Sequence, residues 1–149
     1  MSSPQVDFAF GPSGGIGGTA FYPAIPLGAY KIIKVWGRVG STITQIGFTW
    51  STPNGDMSSP AFGAKGDPNF EVNIGAGDYL TQIFGSLNSQ NRVSTLKFVT
   101  RNNVVTTVGS QLTDDQFSFS SPPGYQIALM FGRSGSEIDA LGVTIGPLS

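Results

Sequence analysis

Hydrophobic and polar residues alternate in three similar stretches of the chain, which cover residues 28–50, 77–100 and 124–145. Each stretch begins with a glycine followed within two residues by tyrosine. It continues as an apolar run to an aromatic–glycine pair, turns, and returns with every second residue apolar. A period of two is typical of a β-strand with one buried face, and two strands around a short turn form a hairpin. The pattern therefore predicts three β-hairpins.

The three predicted hairpins are repeats of one structural unit. Their aromatic–glycine pairs lie 48 and 47 residues apart and are Trp36-Gly37, Phe84-Gly85 and Phe131-Gly132. The first and third units align without a gap, whereas the second has two extra residues in its turn. No sheet of this size is stable alone, so the apolar faces are expected to share one core. The repeats predict three antiparallel sheets around a pseudo-threefold axis.

Equivalent positions on the three return strands carry the side chains expected in this core. They are Ile46, Phe48 and Trp50, then Leu96, Phe98 and Thr100, then Leu141, Val143 and Ile145. Further strands are predicted around Phe62 and over residues 70–74 and 117–119, because these segments precede the second and third units and carry apolar residues at strand spacing.

The N-terminal segment combines a weak strand pattern at residues 6–10 with a glycine-rich stretch at residues 11–18. Within it, Gly15 to Ala20 formally match the dinucleotide pattern G-x-G-x-x-A, which needs a helix directly afterwards and an acidic residue about 20 positions on. Pro23 and Pro26 exclude that helix, and no acidic residue stands at that distance. Residues 11–18 are therefore interpreted as a loop, whose uncovered backbone N–H groups leave a ligand-binding role open.

Composition and charge argue against several classes of partner and of metal site. The chain is expected to form one domain over residues 1–149, with residues 1–5 as a short tail, and its 21 glycines and 10 prolines exclude long helices. Only 11% of residues are charged and the net charge is -1, so neither nucleic acid nor an anionic membrane surface is an expected partner. With neither cysteine nor histidine, no disulfide and no thiolate or imidazole metal site is expected.

Targeting signals are also not expected. No apolar run approaches the roughly 20 residues of a membrane span, and the start, MSSPQVDF, lacks a basic region followed by an apolar run. The protein is therefore expected to be soluble, without membrane insertion, and cytoplasmic by default, with leaderless secretion left open.

One hairpin differs from the other two in charge. The stretch from Phe131 to Ile145 joins a tight polar loop to an alternating strand, and Asp139 stands at their junction. The equivalent positions carry Thr44 in the first unit and Ser94 in the second. From the residues alone, Asp139 is either a ligand-binding carboxylate or a turn carboxylate that caps local N–H groups.

The sequence resembles the jacalin-related lectins from about Gly11 to Pro147. The resemblance is carried by GGIGGTAF near the start, by the aromatic–glycine hairpins, and above all by FGRSGSEIDALGV near the end. It implies an all-β protein of the β-prism I fold, with three four-stranded antiparallel Greek-key sheets in pseudo-threefold symmetry. It also implies a lectin that binds carbohydrate without metal or cofactor and is not an enzyme. Its partners would be mono- and oligosaccharides and glycoconjugates.

The resemblance also implies a sugar site. In that family a Gly-x-x-x-Asp motif, here Gly135 to Asp139, faces the N-terminal glycine loop, here represented by Gly18. Asp139 would accept hydrogen bonds from two sugar hydroxyls, while the backbone N–H groups of Ser136, Glu137 and Gly18 would donate to sugar oxygens. The Glu137 side chain itself is expected to be solvated. Neighbouring sugar hydroxyls both donate and accept, so one acceptor-only group among several donors suits them.

Specificity and valency follow in part from the same resemblance. Galactose-preferring relatives use a free amino group on a processed glycine loop, whereas the loop here is internal, which favours mannose or glucose. The uncharged Thr44 and Ser94 predict one site per chain. Residues 87–91, in the second turn, have two interpretations: they contact further sugar units, or they form an ordinary polar turn. One site gives only about 4–5 kcal/mol, so a homo-oligomer, either a dimer or a tetramer, is expected to supply avidity.

The residues allow two other function classes, an enzyme and a protein-interaction or structural module. An enzyme could use Glu137 with Asp139, or Asp114 with Asp115, as paired carboxylates. The first pair would lie on one side of a strand rather than flank a glycosidic bond, and the second pair is typical of a loop cap. Catalysis is therefore not predicted. The alternative is a non-catalytic β-prism module for protein interaction or structure, without sugar binding.

Overall fold

The computed structural model describes residues 8–110, 112–113 and 115–148, which form thirteen β-strands and no helix. Residues 1–5, part of the predicted strand over residues 6–10, and Asp114 lie outside these ranges. Within them, no helix is long and apolar enough to cross a membrane. The strands in chain order are β1 (Phe8–Gly14), β2 (Thr19–Phe21), β3 (Lys31–Val39), β4 (Ile43–Thr52), β5 (Gly55–Ser58), β6 (Phe62–Gly63), β7 (Asn69–Asn73), β8 (Leu80–Leu87), β9 (Val93–Thr100), β10 (Val105–Gly109), β11 (Gln116–Ser120), β12 (Tyr125–Ser134) and β13 (Ile138–Pro147).

The three predicted hairpins are confirmed as the centres of three antiparallel sheets. They are β3–β4, β8–β9 and β12–β13, and each pairs along nearly its whole length. We name their turns by order: turn one is residues 40–42, turn two is residues 88–92 and turn three is residues 135–137. Turn two is longer than the others by the two residues that the sequence repeat predicts.

Flanking strands complete each hairpin into a sheet of Greek-key order. The orders are β5-β4-β3-β7, β10-β9-β8-β11 and β1-β13-β12-β2, with the short β6 also paired to β4. Because β5 and β6 both lie along β4, they form one edge in two pieces, and the expected three four-stranded sheets are confirmed. The third sheet is built from both ends of the chain, with β1 and β2 on either side of the last hairpin.

The core lies between the three sheets, and the return strands supply its centre. The equivalent positions Ile46, Leu96 and Leu141 are fully buried, and so are the aromatic residues Phe48 and Phe98. Burying a side chain of this size contributes roughly 1.5–3 kcal/mol, so each predicted alternating strand stabilises the shared core.

Steric crowding explains why each aromatic–glycine pair has a glycine. A Cβ atom on Gly37 would lie 1.9 Å from the Gln45 carbonyl oxygen, and one on Gly132 would lie 1.9 Å from that of Ala140. In the second hairpin, a Cβ atom on Gly85 would lie 2.2 Å from the Phe117 ring. Any side chain at these positions would force the strands apart, because real Cβ atoms do not approach so closely.

The interpretation of residues 11–18 as one loop is wrong for its first half. Strand β1 continues to Gly14 and pairs with β13, with a shift in register between Phe10 and Ser13. Gly11 and Gly14 have positive φ values of 89° and 131°, which glycine adopts without strain, so the chain bends while it stays paired. Residues 15–18, which we call the glycine loop, connect β1 to β2.

Candidate functional site

Strand order explains why the glycine loop meets the third hairpin. Strand β1 pairs with β13 on one edge of the hairpin, and β2 pairs with β12 on the other. The glycine loop joins β1 to β2, so it has to cross the end of the hairpin beside turn three. Residues far apart in the sequence are thus brought together at one end of the molecule.

A β-bulge directs the side chain that follows each turn. In all three hairpins the pairing skips one residue just after the turn, and the skipped residues are Thr44, Ser94 and Asp139. A bulge re-aims the side chain of its unpaired residue. The Thr44 and Ser94 hydroxyls donate to backbone carbonyl oxygens of their own hairpins, at 3.3 and 3.2 Å. At the third bulge the residue is a carboxylate.

The Asp139 carboxylate packs against the glycine loop. A Cβ atom on Gly18 would lie 2.5 Å from Asp139 Oδ2, and one on Gly17 would lie 3.2 Å from Oδ1. The Gly15 N–H donates to the Asp139 carbonyl oxygen at 2.9 Å. Gly18 also has a φ of 70°, so two separate reasons favour glycine there, namely the close approach and the left-handed backbone.

Turn three brings the remaining predicted residues beside this contact. Gly135 N–H donates to the Glu137 carbonyl oxygen at 2.9 Å and closes the turn. A Cβ atom on Gly135 would lie 3.5 Å from the Gly18 Cα atom, and Ser136 is exposed at the tip. The structure therefore brings Gly18, Gly135 and Asp139 into contact, with Ser136 and Glu137 in the adjoining turn. Their role in sugar binding stays a prediction.

The expectation that the Glu137 side chain is solvated is wrong. Its Oε1 lies 2.8 Å from Arg92 Nη1, and its Oε2 accepts a hydrogen bond from the Thr42 hydroxyl at 2.7 Å. Only 20% of this side chain is exposed. Turn one and turn two supply these partners, and neither is close to Glu137 in the sequence, so local spacing could not reveal them.

Arg92 is a residue of the site that the sequence did not reveal. It ends turn two, and its Nε lies 3.3 Å from Asp139 Oδ1. The neighbouring Asn91 carbonyl oxygen accepts the Gly15 N–H at 2.9 Å, so turn two also touches the glycine loop. Turn two therefore adjoins both the glycine loop and Asp139, while contact of residues 87–91 with further sugar units stays a prediction. The sequence feature that could have indicated this role is the two extra residues of turn two, which make it longer than the other two turns.

Arg133 is a second unrecognised residue. Its Nε donates to the Gly17 carbonyl oxygen at 3.0 Å, and its Nη2 donates to that of Gly18 at 2.9 Å. The planar guanidinium suits such paired contacts, because its donors have a fixed spacing. Arg133 thereby ties the glycine loop to β12. Nothing in the sequence distinguishes it from an ordinary exposed arginine.

The opposite end of the molecule carries two clefts and a buried acid. The clefts have volumes of about 240 and 570 Å³, adjoin at Tyr79, and contain none of the predicted site residues. Asp78, beside them, is 4% exposed and accepts hydrogen bonds from the N–H groups of Tyr79 and Asn102 at 2.9 and 3.1 Å. Burial alone would raise the pKa of Asp78. Hydrogen bonds from the Thr100 hydroxyl and the two N–H groups, with the charge of Lys31, outweigh burial and hold that pKa below its ordinary value.

Comparison with known proteins points to one family. A family model of the jacalin-like lectin domain matches residues 10–144. Horcolin from Hordeum vulgare subsp. vulgare is 31% identical over 152 aligned residues, which cover 99% of this chain and 100% of horcolin. Wild-type Malaysian banana lectin has a TM-score of 0.79 at 26% identity, over 94% of this chain and 98% of that one. Calsepa lectin, in complex with a biantennary N-glycan, has a TM-score of 0.80 at 25% identity, over 96% and 98%.

Proposed function

The chain belongs to the jacalin-like lectin family and has the β-prism I fold, and from this premise we propose that it binds mannose- or glucose-type glycans without a metal ion. The observation that carries the proposal is the contact between Asp139 and Gly18. An acceptor-only carboxylate lies directly against backbone that has no side chain to cover it. A pair of sugar hydroxyls can donate to the carboxylate while loop N–H groups donate to ring-edge oxygens.

The preference for mannose or glucose rests on how the glycine loop is connected. Residues 15–18 continue from β1 into β2, so each of their backbone nitrogens is an amide and none is a free amine. The loop can therefore donate N–H hydrogen bonds but cannot offer a cationic amino group to the sugar. A glycan is also the ligand in the Calsepa lectin complex, which supports the class of partner.

One site per chain is proposed, with no catalytic role. The bulge positions of the other two hairpins hold Thr44 and Ser94, whose hydroxyls already donate to their own backbone. A single exposed site of a few hydrogen bonds supplies about 4–5 kcal/mol, which is close to millimolar affinity. A homo-oligomer, a dimer or tetramer, would raise the avidity for multivalent glycans. Light scattering at micromolar concentration tests this, and a strict monomer would count against it.

A glycan array with soluble competitors tests the proposed sugar class. The wild-type protein is expected to bind arrayed mannose- or glucose-terminated glycans, and methyl α-mannoside in the millimolar range should displace it while galactose does not. Displacement by galactose alone would overturn the proposed preference. No binding to any glycan would instead favour a β-prism module that interacts with proteins.

A further inference from the structure

A continuous chain of polar contacts joins the turns of all three hairpins at the proposed sugar site. The Thr42 hydroxyl of turn one donates to Glu137 of turn three at 2.7 Å. Glu137 lies 2.8 Å from Arg92 of turn two, and Arg92 lies 3.3 Å from Asp139 at the bulge after turn three. Arg92 is the residue that connects this series of contacts to Asp139, the carboxylate that would bind sugar.

The Asp139 carboxylate needs a nearby positive charge. Its side chain is only 9% exposed, and a carboxylate so far removed from water costs free energy unless it is paired and hydrogen-bonded. Arg92 supplies the cation from a side chain that is 38% exposed, so its own desolvation is modest. The Gln90 side-chain oxygen accepts from Arg92 Nη1 at 3.0 Å and helps to hold the guanidinium in place.

The two oxygens of Asp139 have different surroundings. Oδ1 lies between Arg92 Nε, at 3.3 Å, and Gly17, whose Cβ atom would be 3.2 Å away. Oδ2 lies against Gly18 and 3.9 Å from where a Gly135 Cβ atom would be. The ion pair between Arg92 and Oδ1 fixes the plane of the Asp139 carboxylate. A carboxylate without that contact could rotate about its terminal torsion, which has a broad and weak preference. The second oxygen is thus held toward the glycine backbone.

We propose that Arg92 is a positioning residue of the sugar site: its guanidinium bridges Glu137 and Asp139 and fixes the Asp139 carboxylate toward the glycine loop. The inference rests on the proposed function and deepens it, since it makes the second hairpin a necessary part of a site formed mainly by the third hairpin and the glycine loop. It also explains the extra length of turn two, which brings Arg92 within reach of the Glu137 and Asp139 carboxylates.

Calorimetric titration with methyl α-mannoside tests the proposal on three variants of the full chain. Arg92→Gln removes the charge, and the affinity should fall about tenfold, because the Asp139 carboxylate is no longer held in its binding orientation. Arg92→Lys keeps the charge but loses the planar guanidinium, whose several donors can contact both carboxylates. Its affinity should therefore lie between those of Arg92→Gln and the wild type. Arg101→Gln, an exposed arginine in the loop after β9, changes the net charge equally and should bind like the wild type.

A spectroscopic measurement separates positioning from a merely structural role. The carboxyl ¹³C resonance of Asp139 should shift in Arg92→Gln and stay in place in Arg101→Gln, at temperatures where thermal melts show each variant folded. Unchanged or higher affinity in a folded Arg92→Gln would overturn the proposal while leaving the lectin function intact; higher affinity would mean that Arg92 blocks the carboxylate. If the wild type binds no sugar, the proposed function fails, and the inference fails with it.

Discussion

A carboxylate at the bulge position, Asp139, separates the third hairpin from the other two. Its bulge position was visible in the sequence, because Thr44, Ser94 and Asp139 align once the repeat is recognised. The contacts of Asp139 were not visible, since Arg92 lies 47 positions earlier and reaches it only after three sheets have packed together. Side-chain pairing between hairpins depends on distances that no local pattern encodes. The same reason explains the wrong expectation for Glu137.

Gly18→Ala should weaken both the fold and the proposed site. The added methyl group would lie 2.5 Å from Asp139 Oδ2 and from the Ser134 carbonyl oxygen, on backbone with a φ of 70°. Strain of this kind costs about 1–3 kcal/mol, so the free energy of unfolding should fall by that amount in urea denaturation. The affinity for methyl α-mannoside should fall more than about tenfold, because the carboxylate has to move.

Gly77→Ala is the matched control for backbone strain. Its φ of 76° is close to that of Gly18, but it lies at the opposite end and a Cβ atom there would meet nothing within 4 Å. This variant should lose stability, by about 1 kcal/mol, and keep the wild-type affinity. A Gly18→Ala protein that binds sugar as well as Gly77→Ala would show that close approach of the glycine loop is not needed.

The hairpins themselves followed from hydrophobic periodicity, whereas their irregular parts did not. Strands β4, β9 and β13 were predictable because every second residue is apolar, although the structure buries their polar positions as well. The sequence predicts strand β1 only as far as Phe10, since the glycines that follow and Pro12 are residues that usually interrupt a strand. Here they bend a strand that remains paired to β13. Composition alone cannot distinguish a bent edge strand from a loop.

At the opposite end of the hairpins, Asp78 is expected to stabilise the loops that enter β8 and leave β9. Its folded-state pKa is lowered, so its contribution is complete above the ordinary pKa of an aspartate and is lost as the pH falls through the folded value. Asp78→Asn should therefore reduce the free energy of unfolding by about 1–2 kcal/mol at neutral pH. The difference from wild type should shrink at acid pH, because the wild-type carboxylate also becomes protonated once the pH falls through its lowered pKa.

Urea denaturation at both pH values measures this effect. Asp56→Asn, an exposed acid in β5, changes the net charge equally and should leave the stability within about 0.5 kcal/mol of wild type. A difference between Asp78→Asn and wild type that stays constant from neutral to acid pH would contradict the assigned pKa direction, because the loss would then be independent of ionisation.

The whole molecule repeats one unit three times and then breaks the symmetry at one end. The chain termini cause part of this, because β1 and β2 join the third sheet and carry the glycine loop across its hairpin. The second and third hairpins supply Arg92 and Asp139, and the first supplies Thr42. The repeat and the shared core could be predicted from the residues, and the Greek-key sheets from the family resemblance. The polar contacts between the three turns could not, since they depend on the assembled prism.

Calorimetric titration of the wild type and Asp139→Asn with methyl α-mannoside tests the central claim most directly. The wild type should bind one sugar per chain with a dissociation constant of about 1 mM. Asp139→Asn should show no measurable heat, because the amide loses the negative charge and replaces one acceptor oxygen with an NH2 donor. Asp56→Asn, which removes a charge far from the site, should titrate like the wild type. Retained binding by a folded Asp139→Asn protein, or two sugars per chain in the wild type, would contradict this account.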